Sequence, residues 1–492
     1  MTMTAKDCFA HEFFTQSRPN FWECRIQDPK SRYTTFLFLP WRETTCSTDD
    51  RRRTRPIYNR YLNEDLEVSS SYRKTATHPT LGPISKTMAT SFDATRVADA
   101  LVLEASSMSR KHVVSAETGS DVSSVSYTLR GLRDEAEILK WSLFCESVFA
   151  YKKPNAPSAS YFQRHYFNDT HIVPGKHTSL VRVAIDDETQ QIVSSCRIFV
   201  RCIGGVAENT EDRVGVWAGG IGEVCTHQQH RRRGLSKQLL QDAIQIMESS
   251  SYDDNSRLHV SLLHAAPSFF PVYQSVGYQN TTSQWSRIGK IAASQLERTI
   301  NKPFILREAS FPADIPQLEF LHRRCSEQAY AGCIRRSTQY WERYVSVELG
   351  QDRSPPVVLE DDSVPTGKVR AYLTVRPRGT SDDGRPLIQV KEFAWDESIP
   401  SISEVLSVLL KQAVSTITHE TFDFLIPTNV LQQLECEGGS TMFWRTEDVV
   451  AANDLGWMYR PLSDKGKALV ARLTSKDAPQ TIQHLVWPTD SF

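Results

Sequence analysis

The sequence has no C-x-x-C pair, no apolar run long enough to cross a membrane, no apolar stretch near its start and no excess of charge of either sign. Each absence excludes something. The ten cysteines stand singly, at 8, 24, 46, 145, 196, 202, 225, 325, 333 and 436, away from metal-spaced histidines. That pattern argues for free, mostly buried thiols in a reducing compartment, and against a disulfide framework or a zinc site. A transmembrane helix needs about 18 or more consecutive apolar residues, so none is expected. The N-terminal MTMTAKDCFAHEFF lacks the apolar core of a secretory signal, so the expected location is the cytoplasm, with the nucleus as the alternative. Lysine plus arginine number 57 against 58 aspartates and glutamates, for a net charge of −1. A chain that lives on nucleic acid usually carries a basic excess. Neither nucleic acid nor membrane is an expected partner, and no metal is expected.

What is present falls into three parts. Residues 1–122 hold aromatic clusters (FWEC, FLFLPW), then DDRRRTRP and a long Ser/Thr-rich stretch of little periodicity. They read as a partly disordered N-terminal extension. Its basic run, Arg51 to Arg55, is either solvated linker charge or a localisation or binding signal. Residues 123–295 carry a compact α/β pattern. A short strand at 127–130 leads into a helix that places Ile138, Trp141, Phe144, Cys145, Val148 and Phe149 on one face. Strands 179–185 and 192–201 flank the polar hairpin DDETQQ. A glycine-rich strand, VGVWAGGIGEVCT (214–226), is followed by an arginine loop. Next comes a helix burying Leu235, Leu239, Leu240, Ala243, Ile244 and Met247, then a strand at 258–265 and the segment PVYQSVGY. This order is an α/β layer architecture.

Residues 303–492 begin the same way. FILREASFPADIPQLEFLHRRC (304–325) echoes YTLRGLRDEAEILKWSLFC (127–145). Each is an apolar strand ending in Leu-Arg, an acidic helix start and an amphipathic helix. Strands 369–377 and 388–395 and a helix at 401–414 follow in corresponding order. The chain therefore reads as two tandem copies of one fold. The second copy is degenerate: it lacks an arginine–glycine loop and should not bind phosphate as the first does.

That loop is THQQHRRRGLS. Arg231, Arg232 and Arg233 precede Gly234, Leu235 and Ser236 between a strand and a helix. A helix start leaves N–H groups unpaired and carries the positive end of the helix dipole. A glycine there lets an anion approach the backbone, and arginines add charge-assisted bonds. The segment reads as a pyrophosphate cradle. It is neither the lysine-containing P-loop nor a dinucleotide G-x-G-x-x-G. A surface turn, or a nucleic-acid patch acting with RRRTR, are the other readings of the same residues. Glycines 219, 220 and 222 either relieve crowding in the strand or accompany a bulge.

Arg231-x-x-Gly234-x-Ser236, followed by Tyr273-x-x-x-Gly277-Tyr278, resembles two elements of GNAT-superfamily N-acetyltransferases: the acetyl-CoA signature and the downstream Y-x-x-x-G-(F/Y). The chain is similar to tandem-GNAT enzymes such as the mycobacterial enhanced intracellular survival acetyltransferases and the fungal lysine acetyltransferases. The resemblance covers about residues 125 to 290 well and 303 to 462 weakly. Two positions depart from the family: Ser236 replaces Gly or Ala, and Ala266 stands where many members have asparagine.

The resemblance implies a GNAT fold, a mixed, splayed β-sheet flanked by helices, with acetyl-CoA as co-substrate. Val224, Cys225 and Thr226 would pair with its pantetheine arm beyond a strand bulge. Arg231, Arg232, Arg233, Gly234, Leu235 and Ser236 would hold its pyrophosphate. Tyr273 would face the thioester sulfur as general acid. Aminolysis of a thioester needs a proton acceptor at the ammonium and an N–H donor for the oxyanion, which Val224 can supply. Glu223, the one acid on the motif strand, is the candidate base, although strand alternation could turn it away. In the mycobacterial family the C-terminal carboxylate enters the active site, so Phe492 is a second candidate; a frayed tail is the alternative. Trp217, Trp285 and Phe149 either line an acceptor pocket or sit in the core. The expected function is acetyl transfer to a primary amine, small or lysine-like, by direct attack in a ternary complex. The alternative is a catalytically inactive acyl-CoA-binding scaffold. The acceptor and the oligomeric state stay open.

Overall fold

The computed structural model describes residues 13–18, 21–27, 33–38, 94–118, 121–152, 156–204, 215–249, 257–296, 303–351, 355–365, 367–399, 401–415, 419–437, 443–474 and 483–490. The chain divides into two units, Met1–Thr87 and Met88–Phe492. In the first, β1 (Phe13–Arg18), β2 (Phe21–Gln27) and β3 (Tyr33–Phe38) form an antiparallel meander. The basic run at Arg51 lies outside the described residues.

The second unit holds two mixed sheets flanked by helices. Its first half supplies α1 (Ala94–Ser107), β4 (Arg110–Thr118), β5 (Asp121–Gly131), α2 (Glu135–Phe149) and α3 (Ala159–Phe167). These are followed by β6 (Val181–Asp186), β7 (Ile192–Ile203), β8 (Val216–Thr226), α4 (Leu235–Ser249), β9 (Val260–His264), α5 (Phe270–Gln274) and β10 (Gln279–Asn280). The segment Ala94–Thr118, which the composition groups with the N-terminal extension, is thus a helix and an edge strand of the first sheet. It is tied down by charge. Arg110 meets the buried Asp242 of α4 at 2.5 Å, and Asp99 accepts from the buried His177 at 2.7 Å.

The first half ends with β11 (Trp285–Ala292), and the second supplies β12 (Phe304–Glu308), α6 (Ile315–His322), α7 (Thr338–Tyr340), α8 (Ser346–Gln351), β13 (Val357–Asp361), β14 (Lys368–Thr380) and β15 (Pro386–Trp395). It continues through α9 (Ile402–Ala413), β16 (Thr421–Pro427), α10 (Thr428–Glu437), β17 (Val449–Ala451), β18 (Trp457–Pro461) and α11 (Asp464–Thr474). The first sheet runs β10-β18-β9-β8-β7-β6-β5-β4 and the second β12-β13-β14-β15-β16-β11-β17. Each half has lent a strand: β18 sits between β9 and β10, and β11 between β16 and β17. The sheets are therefore not divided by sequence position alone. An apolar cluster built from both halves, including Ile203, Val260, Ile334, Trp457 and Tyr459, packs where they meet.

The Leu-Arg echo has a physical cause. Arg130, at the end of β5, forms a two-pronged pair with Glu137 in the first turn of α2, both bonds at 2.7 Å. Arg307, on β12, does the same to Asp314 at the start of α6, at 2.6 and 2.9 Å. In each half, a planar guanidinium fixes the angle between a strand and the helix that follows it.

The C-terminal segment docks. His484 bridges to Ala331, Trp487 donates to Ser326 at 2.8 Å, and Asp490 is buried. Asp490 accepts from Arg336, whose guanidinium also meets both carboxylate oxygens of Glu392, at 2.8 and 2.9 Å, and lies over the Trp341 ring. Burial alone would raise the Glu392 carboxyl, but Arg336 and His322 hold it well below the usual carboxylate range. Phe492 itself lies outside the described residues.

Removing one partner of a buried ion pair leaves an uncompensated charge and costs about 3–5 kcal/mol. Arg336→Leu is expected to lower the urea midpoint accordingly. Lys111→Ala, which breaks an exposed 2.7 Å pair with Asp187, should change stability by less than about 1 kcal/mol. Equal midpoints for the two variants would refute the clamp.

Candidate active site

β8 and β9 are parallel, and their pairing is short. It covers Ala218–Val260, Gly219–Ser261 and Gly220–Leu262 and then stops. Residues 221–226 run on with no partner strand on that side among the described residues. A bulge on the opposite edge accompanies the parting. Arg197 pairs with Gly222 and Ser195 with Cys225, so Glu223 and Val224 together oppose Cys196. Of the two readings of the glycine-rich strand, the bulge is the observed one. Gly219 also answers to crowding, since a side chain there would strike Met247.

Glu223 has a φ of +55°, uncommon for a residue with a side chain. The bulge, rather than simple alternation, decides where its carboxylate goes. One oxygen is 3.5 Å from Arg197; the other is buried with no hydrogen-bond partner. Arg197 is shared. It reaches Asp169 at 3.2 Å, and Asp169 also takes two 3.1 Å bonds from Arg201. Burial pushes the Glu223 carboxyl up to about 7, against the opposing pull of Arg197. Asp169, also buried, is instead held well below the usual range by Arg201, His171 and Arg197. Sequence reading missed this network. Its signal was two arginines, four residues apart, at Arg197 and Arg201 in the strand IVSSCRIFVR.

The loop after β8 is locked from several directions. Arg232 and Gly234 both take left-handed φ values, +63° and +78°. A side chain at Gly234 would meet only His112, at an ordinary contact distance of 4.0 Å, so its conformation, not crowding, requires glycine there. Arg233 turns back onto the domain, donating to the Tyr127 hydroxyl, while His112 bonds the Arg233 carbonyl at 3.0 Å. Arg231 is exposed and its Nε donates to the Thr226 carbonyl at 3.2 Å; Arg232 is exposed as well. Leu235 is buried in the core beneath. The Ser236 departure has a use: its hydroxyl meets that of Thr226 at 2.7 Å, tying the strand end to the helix start. Cys225 faces Cys145 of α2 at 4.0 Å, and Val224 packs on the core.

The Tyr273 element is a helix terminator. The Gly277 N–H bonds the Gln274 carbonyl, the Tyr278 N–H bonds that of Tyr273, and Gly277 has a φ of +90°. That is a Schellman ending, in which the third residue from the helix end packs against the second residue beyond it. The two tyrosine rings accordingly lie 6.2 Å apart, edge on. The Tyr278 hydroxyl is held by Ser261 at 2.6 Å. Tyr273 is half-buried, and burial pushes its phenol well above its ordinary value, with Cys196 and Cys225 adding to the shift. Trp217 and Trp285 are core residues, and Phe149 stacks on Phe162.

A carboxyl whose folded pKa is raised favours folding fully below its unfolded pKa and loses that contribution as pH rises through the folded value. For Glu223 this window runs from 4.5 to about 7. Glu223→Gln is therefore expected to gain stability relative to the parent between pH 5 and pH 8. The gain is at most about 3 kcal/mol. A pH-independent difference in urea midpoint would show that the carboxylate is solvated.

The model of the acetyltransferase (GNAT) domain matches residues 134–281. No curated protein sequence matches the chain. Similar solved structures include a GCN5-related N-acetyltransferase from Anabaena variabilis, 13% identical, with a TM-score of 0.47 over 68% of this chain and 73% of that one. Eis1 from Mycobacterium abscessus is 16% identical, with a TM-score of 0.43 over 68% and 73%. The Saccharomyces cerevisiae N-myristoyltransferase with bound myristoyl-CoA is 11% identical, with a TM-score of 0.41 over 70% and 84%. Residues 134–281 form a GNAT acetyltransferase domain, so the chain carries an acyltransferase domain.

Proposed function

We propose that the chain transfers the acetyl group of acetyl-CoA to a primary amine, a small amine or a lysine-like side chain, within a ternary complex. The observation that carries this reading is the Glu223 carboxylate, half unpartnered and titrating near neutrality, at the point where β8 leaves β9. A scaffold that only bound acyl-CoA would have no need of such a group.

The residues suit the co-substrate. The first N–H groups of α4 lack intrahelical partners, the backbone at Gly234 is open, and Arg231 and Arg232 are exposed beside them. These groups would hold the pyrophosphate; Arg233 and Ser236 would keep the loop in place. The unpaired edge at 221–226 would run beside the pantetheine arm, with Val224, Cys225 and Thr226 lending backbone groups. Acetyl-CoA supplies the activated thioester. Glu223 accepts a proton from the ammonium, directly or through a water, and so exposes the amine lone pair. The Val224 N–H receives the negative charge that develops on the carbonyl oxygen. Tyr273, neutral at every physiological pH, donates a proton to the departing thiolate. The carboxylate of Phe492, two residues beyond the buried Asp490, is the second candidate base. No helix among the described residues is long and apolar enough to cross a membrane.

The test is release of free thiol from acetyl-CoA with a panel of amines. Parent kcat/KM is expected to rise with pH through a midpoint near 7, where Glu223 deprotonates. Glu223→Gln should lose that limb and about 10²–10⁴ of the rate. Tyr273→Phe should lower kcat by about 10². Activity within twofold of the parent for Glu223→Gln, with the limb intact, would move the base to the C-terminal carboxylate.

A further inference from the structure

Arg197 stands between two carboxylates, Asp169 just beyond α3 and Glu223 on the bulge of β8. All three side chains are buried. The guanidinium does not serve the two acids equally. One terminal nitrogen donates to Asp169 at 3.2 Å and to the His165 carbonyl at 3.3 Å, while the other comes no closer than 3.5 Å to Glu223. A charge-assisted pair normally closes to about 2.7–2.9 Å. The Glu223 contact is left open, although its second oxygen has no partner at all.

The pattern of β7 explains the imbalance. Arg197, Phe199 and Arg201 share one face by strand alternation. Both guanidiniums lie over the Phe199 ring, at 4.1 and 5.2 Å, and that of Arg197 also lies over Tyr166 at 5.2 Å. Asp169 is fixed in turn by two 3.1 Å bonds from Arg201 and by the His171 N–H at 3.1 Å. A carboxylate held in this way cannot follow Arg197 toward β8, so the guanidinium comes to it. Were Asp169 uncharged, the nearest acid left to Arg197 would be Glu223.

We propose that Asp169 is a positioning residue for acyl transfer, which withholds Arg197 from Glu223 and so keeps the base unpaired. The proposal rests on the reading of Glu223 as the base. The other titratable groups around Glu223 do not compete for this part. Cys145 of α2, Cys196 of β7 and Tyr161 of α3 are all pushed up by burial and stay protonated. His165 and His171, on the Asp169 side, are pushed down by burial. Arg201, the other cation acting on Glu223, is held by Asp169.

The test is the pH profile of kcat/KM in the full-length protein. A cation brought into contact lowers a carboxyl by about 1–3 units. Asp169→Asn should therefore move the limb near pH 7 downward by at least about one unit. In an Arg197→Gln background the same substitution should move it by less than about half as much, because no guanidinium is left to withhold. Arg197→Lys places one compact charge on a shorter arm, which cannot serve both acids. It should stay with Asp169, and the limb should rise. A second readout is the gain in urea midpoint that Glu223→Gln brings between pH 5 and pH 8, which should shrink by about half or more once Asp169→Asn is present. That readout needs no acetyl-CoA, so an inactive parent would overturn the acetyl-transfer reading without hiding the fate of Arg197. If Asp169→Asn does not fold, Arg197→Lys decides. The proposal is overturned by a limb that stays or rises in Asp169→Asn, by an equal shift with and without Arg197, or by a limb that stays or falls in Arg197→Lys.

Discussion

Two parallel strands that part after three paired residues are the constraint on which the site depends. β8 leaves β9 beyond Gly220, and the bulge at Glu223 and Val224 lets it do so without losing its pairing to β7. A parted strand exposes backbone donors and acceptors that water or a ligand must satisfy. It also brings Glu223 into a left-handed conformation with one oxygen unpartnered, over a buried lattice of Arg197, Asp169 and Arg201. The lattice explains why two carboxylates in one buried region differ so widely in affinity for a proton. Asp169 has two guanidiniums close at hand. Glu223 has the distant edge of one, and desolvation wins.

The same frame serves both halves, and the differences between them are chemical. Each half has an arginine clamping strand to helix, a short parallel pairing and a bulge with a glutamate beside it. In the first half that glutamate is left to titrate. In the second, Glu392 is taken up by Arg336, His322 and Tyr372, and so becomes the anchor of the C-terminal segment through Asp490. Exchange of β11 and β18 makes each sheet depend on the other half, so the two cannot drift independently. The paired halves hold the C-terminal segment through the buried pair of Asp490 and Arg336.

Much of this was legible in the sequence, for local reasons. Helix faces, the strand–loop–helix around RRRG and the Leu-Arg echo follow from periodicity and from residues whose conformational demands are narrow. Gly234 and Gly277 both carry a φ that favours glycine. Other features were not legible, because they are not local. No pattern in VSLLH or WMYRP says that β9 takes β18 as its neighbour. The segment at 94–118 is a helix and strand embedded in Ser/Thr-rich surroundings, and only contact with α4 reveals its place. Arg197 and Arg201 look like the polar side of an alternating strand until Asp169 is found buried against both. The orientation of Glu223 was undecidable from alternation, since a bulge shifts alternation by one. Trp217 and Trp285, offered for a pocket, are core residues, as large aromatics usually are.

The central claim is that the arginine–glycine loop and the split strand together hold acetyl-CoA. Calorimetric titration of acetyl-CoA into the full-length protein tests it most directly, beside the variant Gly234→Asp. That change forces a left-handed φ on a residue with a side chain and sets a negative charge at the helix start. The account predicts one-to-one binding by the parent, lost in a variant that keeps its circular dichroism spectrum. A folded parent that binds no acetyl-CoA, or a Gly234→Asp variant that binds it as tightly as the parent, would contradict the account.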